Sequence, residues 1–282
     1  MRMGISEIGT ALKMRPGLKV GEIDFRATPG FYGSKNDGRA VQDERTAVLS
    51  DLQEMLYANG RTGDTRSVLL ILQGMDTAGK GGIVRHVIGS VDPQGVDIAS
   101  FGVPTEEEKS HHFLWRIDRK LPRPGRIGVF DRSHYEDVLI GRARELAPPD
   151  VIEARYAEIN EWERELVEER GITLVKVAMF VSRDEQRDRL LERLDRPDKY
   201  WKFNPGDIDE RKLWPEYATA YQIVLDRTST DYAPWNVLQA DRKWYARLAV
   251  TDLLIDALES LDLSWPKPDF DPAVERRRLL ES

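Results

Sequence analysis

The chain contains no cysteine among its 282 residues. That absence removes disulfides, thiolate nucleophiles and cysteine-based zinc sites from the possible chemistry. Histidine is scarce too, with four in all, and none of them falls at a spacing that argues for a phosphohistidine. No window approaches ~18 uninterrupted apolar residues, so no membrane span is expected. The opening Met1-Arg2-Met3-Gly4 leads into no apolar signal segment, and a cytoplasmic protein is expected. Internal repeats and low-complexity segments are also missing. Lys and Arg number 42 against 49 Asp and Glu, a formal charge of −7. That balance argues against a nucleic-acid coat protein. It does not exclude a polyanionic ligand in a local cationic channel, because screening confines charge effects to about 10 Å.

What is present is a phosphate-binding loop. The apolar run Ser67–Gln73 leads into Gly74-Met75-Asp76-Thr77-Ala78-Gly79-Lys80-Gly81-Gly82, and Ile83–Ile88 follows at helical density. This is the strand, glycine loop, helix order of the G-x-x-x-x-G-K-[S/T] signature. Gly74 and Gly79 let backbone N–H groups converge on an anion, and Ala78, Gly81 and Gly82 complete the expected cradle. Lys80 adds a full charge at a helix N-terminus. The position after Lys80 is Gly81, where such loops ordinarily carry a hydroxyl that holds Mg²⁺.

A second element is Arg126–Phe130 followed by Asp131 and Arg132. An apolar strand ending in Asp, downstream of a phosphate loop, has the form of a Walker B strand. Asp76 lies inside the phosphate loop, where its negative charge opposes the anion unless a cation intervenes. It either caps a loop N–H or holds a metal together with Asp131, replacing the hydroxyl missing at Gly81. Two carboxylates and phosphate oxygens suit the oxygen preference of Mg²⁺.

Further strands are expected at Val96–Phe101, Gly171–Phe180 and Asn236–Gln239. Helices are expected at Arg39–Ala58, from a capping box at Thr105-Glu106-Glu107-Glu108 towards Leu121, at Val151–Glu169 and at Arg242–Leu261. Strands alternating with helices imply a parallel sheet covered on both faces, in one α/β domain over residues 1–282. Residues 1–38 read as an irregular arm and 262–282 as a Pro-rich charged tail. The segment 183–214 breaks the rhythm, concentrating Arg183, Arg187, Arg189, Arg193, Arg196, Lys199 and Lys202. Its acidic residues also suit a solvated charged helix, but its position after the fourth strand is that of a kinase lid. The aromatics from Trp201 to Trp235 suit core packing, with one or two available to stack on a base.

These blocks resemble the polyphosphate kinase 2 family. The resemblance rests on the loop 74–82, on Pro104-Thr-Glu-Glu-Glu108 with His112-Phe-Leu-Trp-Arg116, and on Phe130-Asp-Arg-Ser-His-Tyr-Glu-Asp-Val138. Lys199-Tyr-Trp-Lys202 with Trp214-Pro-Glu-Tyr217, and Thr228–Trp235 leading into Ala240-Asp-Arg-Lys-Trp244, add two more. Together they span roughly residues 30–260. The resemblance implies a thymidylate-kinase-like three-layer α/β/α P-loop core with a helical lid. It implies reversible, Mg²⁺-dependent transfer of a terminal phosphoryl group between inorganic polyphosphate and nucleoside mono-, di- and triphosphates, with Mn²⁺ as a substitute metal. It assigns Asp76 and Asp131 as essential carboxylates and metal ligands, and Lys80 as the loop lysine. Arg132, Arg183, Lys199 and Lys202 take conserved cationic positions. The loop and the stretch His86–Gly95 look most like the branch accepting both mono- and diphosphates, from which Gly81 and Asp131 depart. A homo-oligomer is expected, with no membrane or nucleic-acid partner. The alternative is an ATP-dependent nucleoside or nucleotide kinase of the same fold; a GTP-binding switch lacks its Asn-Lys-x-Asp segment.

Overall fold

The computed structural model of the protein describes residues 6–282. Five strands form one sheet: β1 (Ser67–Gly74), β2 (Val96–Ser100), β3 (Ile127–Asp131), β4 (Ile172–Phe180) and β5 (Trp235–Gln239). Their order is β2-β3-β1-β4-β5 and every pair is parallel. Such a sheet needs both faces covered, and the near-continuous apolar run of β1 meets that need. Val68, Leu70 and Leu72 enter one core; Leu69 and Ile71 point into the other.

The first core is closed by α2 (Lys35–Arg61), α3 (Lys80–His86) and α11 (Lys243–Ser260). The second is closed by α6 (Glu136–Ala143), α7 (Pro149–Glu168) and α10 (Trp214–Thr228). The expected three-layer α/β/α P-loop kinase core is therefore the one formed. Four shorter helices, α1 (Glu7–Leu12), α4 (Glu106–Lys109), α5 (Trp115–Asp118) and α9 (Gly206–Glu210), lie at its margins, with α8 (Arg183–Asp195) after β4 and α12 (Pro272–Leu280) near the chain end.

Several expectations are corrected. The arm is not irregular throughout: Ser6 caps α1, Ile8 and Leu12 enter the core, and Lys13 bridges Asn236 beside β5. Residues 1–5 of the arm lie outside the described residues. The helix from Thr105 has its capping box but ends at Lys109, and α5 forms separately. His112 explains the break, since its ring accepts from the Leu114 N–H at 3.4 Å and reaches Glu158 at 2.9 Å. Side-chain capture of a backbone donor competes with the helical bond. The tail likewise contains a helix, α12, capped by Asp271.

Helices α2 and α11 lie side by side, with Gln42 Nε2 donating to Thr251 Oγ1 at 2.9 Å and Arg45 Nε 3.1 Å from Asp252. Burial pushes the Asp252 carboxyl up to about 6, despite the attraction of Arg45. An unfolded Asp titrates near ~3.9. The folded state thus holds the proton more tightly, so this contribution to stability is full below about pH 4 and is lost as pH rises through about 6. Asp252→Asn should remove that loss. Melting temperatures measured from pH 4 to 8 should shift progressively in the variant's favour up to about pH 6 and then level off.

Candidate active site

The site forms where strand pairing brings the ends of β1 and β3 together. Leu72 stands opposite Asp131, and the Arg132 N–H donates to the Leu72 carbonyl at 3.1 Å. Arg132 takes φ +68° there, a left-handed conformation that a non-glycine residue adopts at a cost of about 1–2 kcal/mol. The loop after β1 is tight for a different reason. A Cβ at Gly74 would come within 2.8 Å of the Met179 carbonyl oxygen on neighbouring β4, so packing demands glycine. Gly79 turns the chain into α3 at φ +110°. Gly81 and Gly82 are unlike these: a Cβ at either meets no protein atom within 4 Å. Neither is required by packing, and the space they leave belongs to the cavity.

That cavity, about 740 Å³, is lined by Ala78, Gly79, Lys80, Gly81 and Gly82 from the loop and by Asp76, Asp131 and Arg132 beside it. Lys199 and Lys202 face it from the segment after α8. Ten of the sequence-predicted residues are thus brought to one place. Gly74 lines a second cavity of about 560 Å³ next to the first. Arg183 reaches neither; it is exposed in the first turn of α8. Further cations line the first cavity: Arg189 and Arg193, which belong to the charged segment noted in the sequence, and Lys243 and Arg247 of α11.

Arg189 is buried and acts as a clamp. Its guanidinium donates to the carbonyls of Thr77 at 2.8 Å and Ala78 at 3.2 Å, and to those of Ala240 and Asp241 at 2.7 and 3.0 Å. Gln186 adds a bond to the Asp76 carbonyl at 3.1 Å. The first helix of the charged segment is therefore fastened to the phosphate loop. Beyond it, Arg193 holds the Lys202 carbonyl and the Asp207 carboxylate, and the chain turns through Pro197–Lys202 into α9.

The charges are mixed within a small space. Arg132 Nη2 lies 3.7 Å from Asp76 Oδ1, and Lys80 Nζ donates to the Gly74 carbonyl at 2.6 Å. Burial holds the Lys80 ammonium below its ordinary pKa, opposed by Glu136, Asp76 and Asp131. Burial raises the Glu136 carboxyl, opposed by Arg132 and Lys80. Glu136 was missed in the sequence, although its place five residues after Asp131 at the start of α6 was a usable signal. Asp207 is raised as well, by burial and then by the Asp76 charge.

The two cavities share Asp76, Phe101, Gly102, Arg132, Asn204 and Asp207. The second is lined on its far side by Leu139, Ile140, Trp214, Tyr217 and Tyr221. Arg144 from the end of α6 pairs with Glu210 of α9, which also accepts from Tyr217 Oη at 2.6 Å. None of the four histidines lines either cavity. His134 instead joins a buried network under the Asp131–Arg132 turn. Glu163 on α7 accepts from Tyr135 Oη at 2.7 Å and from Lys176 Nζ at 2.6 Å, with His134 Nε2 at 3.3 Å. Lys176 also donates to the Thr228 carbonyl at 2.7 Å.

A phosphate loop after the central strand of a parallel sheet, with paired carboxylates and converging cations at the strands' carboxyl ends, defines a P-loop phosphotransferase. Within that class the chain belongs to the polyphosphate kinase 2 family, whose model, Polyphosphate kinase 2 (PPK2), matches residues 32–265. It is 45% identical over 245 residues to an AMP/ADP-polyphosphate phosphotransferase of Meiothermus ruber, covering 86% of this chain and 89% of that protein. It is 41% identical over 267 residues to an ADP-polyphosphate phosphotransferase of Rhodopseudomonas palustris, covering 89% and 88%. The crystal structure of polyphosphate kinase 2 from Arthrobacter aurescens superposes with a TM-score of 0.95 at 50% identity, over 99% of both chains.

The buried network makes a stability prediction. Lys176→Met strands the Glu163 charge in the core and should cost about 3–5 kcal/mol in urea unfolding. The double variant Glu163→Gln/Lys176→Met removes both charges and should recover most of that loss.

Proposed function

We propose that the protein moves the terminal phosphoryl group of inorganic polyphosphate onto a nucleoside diphosphate, with monophosphates as second acceptors, and runs the same transfer in reverse. The observation that carries this reading is the pair of cavities meeting at Asp76 and Arg132. One is lined by the phosphate loop and by cations from four different segments, and its aromatic lining is limited to Phe101, shared with the other cavity, and the exposed Trp201. It suits a donor made only of phosphates. The other offers Phe101, Trp214, Tyr217 and Tyr221 around an apolar floor, and suits the base and sugar of an acceptor whose phosphates point to the junction.

The chemistry then needs positioning and charge neutralisation more than proton transfer. An acceptor phosphate oxygen is already ionised, so no base is required. Its bond to the terminal phosphorus forms as the bridging P–O bond of the chain breaks, and the shortened polyphosphate leaves as an anion. Lys80 and the loop N–H groups hold the transferring phosphate, and Arg132 neutralises its oxygens from the opposite side. Lys199 and Lys202 hold the chain behind it. We assign residues 183–214 as the lid, with Arg183 outside the reacting centre.

Asp76 and Asp131 line the same cavity, while no group of three or more His, Asp or Glu among the described residues is placed to hold a metal. That donor set fits a divalent cation whose remaining ligands are phosphate oxygens and water, as Mg²⁺ prefers, with Mn²⁺ as a substitute. Asp76 and Asp131 would hold such a cation, and it would supply charge neutralisation to the phosphates. Among the described residues no helix is long and apolar enough to cross a membrane; we place the protein in the cytoplasm as a homo-oligomer.

Incubating the protein with Mg²⁺, ADP and long-chain polyphosphate should yield ATP, measured by luciferase. Asp76→Asn should lower the rate by roughly 100-fold or more with the melting temperature preserved. No ATP, or an unimpaired variant, would overturn the assignment.

A further inference from the structure

The phosphate-loop cavity does not end at its lining. Lys243 and Arg247 bring α11 into its wall, and the packing of α11 sets two more cations beside them. Gly38 on α2 sits so close to the Trp244 ring that an added Cβ would come within 2.3 Å of it. One turn further on, Gln42 bonds Thr251. Arg39 lies between these contacts on α2, as Arg247 does on α11. Helix α3, which begins at the loop lysine, packs on the same region of α11 and ends in Arg85 and His86. Burial, and after it the Arg39 charge, lowers the Arg247 guanidinium, and burial with Arg247 and Arg85 lowers the His86 ring.

Lys243 is paired with Glu192 at 3.4 Å, but among the described residues no carboxylate pairs with the three arginines of this cluster. Several surface arginines elsewhere are paired, such as Arg123 with Asp97 at 2.5 Å, Arg170 with Asp118 at 2.6 Å and Arg196 with Asp198 at 2.9 Å, while others stand singly. Among the described residues Arg39, Arg85 and Arg247 have neither an ion pair nor a hydrogen bond, although the chain carries more acidic than basic groups. Arg39 and Arg85 are exposed and Arg247 half-buried. Gathering like charges without counterions is unfavourable unless a polyanion completes the set.

We propose that Arg247, Arg39 and Arg85 form a distal track for the polyphosphate donor, along which the unreacted part of a long chain leaves the cavity over α11, α2 and α3. The track rests on the reading of that cavity as the donor site. It has a consequence the cavity alone lacks: affinity depends on donor length. A short chain fills only the cavity, whereas a long one also meets the track.

The test is the variant Arg39→Glu/Arg85→Gln, two exposed positions with no partners to lose, checked for an unchanged melting temperature. KM for long-chain polyphosphate should rise roughly tenfold, the order expected for two phosphate-facing charges, and its dependence on salt should become shallower. KM for a linear donor of a few phosphates, KM for ADP and kcat should stay unchanged. An unaltered KM for the long chain, or an equal loss with both donors, overturns the track. If the unsubstituted protein turns over neither donor, the assigned activity falls. The track is then decided by direct titration of fluorescently labelled long-chain polyphosphate, which the variant must bind more weakly. Single-stranded RNA of matched length that competes equally well would make the surface a nucleic-acid site and overturn the proposal.

Discussion

The pairing of β1 with β3 is the constraint on which the site depends. With Leu72 opposite Asp131, the last backbone bond of the ladder reaches Arg132 and leaves that residue left-handed. A shift of one residue would turn Asp131 to the other face of the sheet and the following arginine away from the loop. The cost of the left-handed turn is borne by what lies beneath it. His134 and Tyr135, two and three residues on, are tied to Glu163, and Glu163 is neutralised by Lys176 on β4. The buried network thus belongs to the same design as the half-buried Asp131 carboxylate above it. Strained backbone persists where its surroundings over-determine it.

Charge of both signs is the second theme. A phosphate loop carrying its own aspartate works against its ligand, and the structure compensates by placing Arg132 beside Asp76 and by collecting lysines and arginines from the segment after α8 and from α11. The missing hydroxyl at Gly81 fits this arrangement. An open position there leaves room in the cavity, and metal binding passes to the two carboxylates in our reading. Net charge says little about such a site, since the cations are local and the acidic excess is spread over the rest of the molecule.

The phosphate loop, the strand ending in Asp131 and the alternation of elements were legible because each is local: glycine spacing, an apolar run, a period. The break between α4 and α5 was not, because its cause is a histidine reaching Glu158 on a helix some forty residues away. Arg183 and Arg189 show the same limit within one helix. Both are arginines in a charged run, yet Arg189 is buried as a clamp on the loop while Arg183 faces solvent. Their positions on the α8 surface decide the difference, and position becomes meaningful only once the helix is docked.

The sequence by itself determined the phosphate loop, the parallel α/β order and the family, because these follow from short-range spacing and from the residue types the chemistry needs. Tertiary structure alone decided which cations surround the loop, that two cavities meet at Asp76 and Arg132, and that Arg39, Arg85 and Arg247 lie together. Those groups come from segments far apart in the chain, and only the packing of α2, α3, α8 and α11 on the sheet brings their charges within reach of one another.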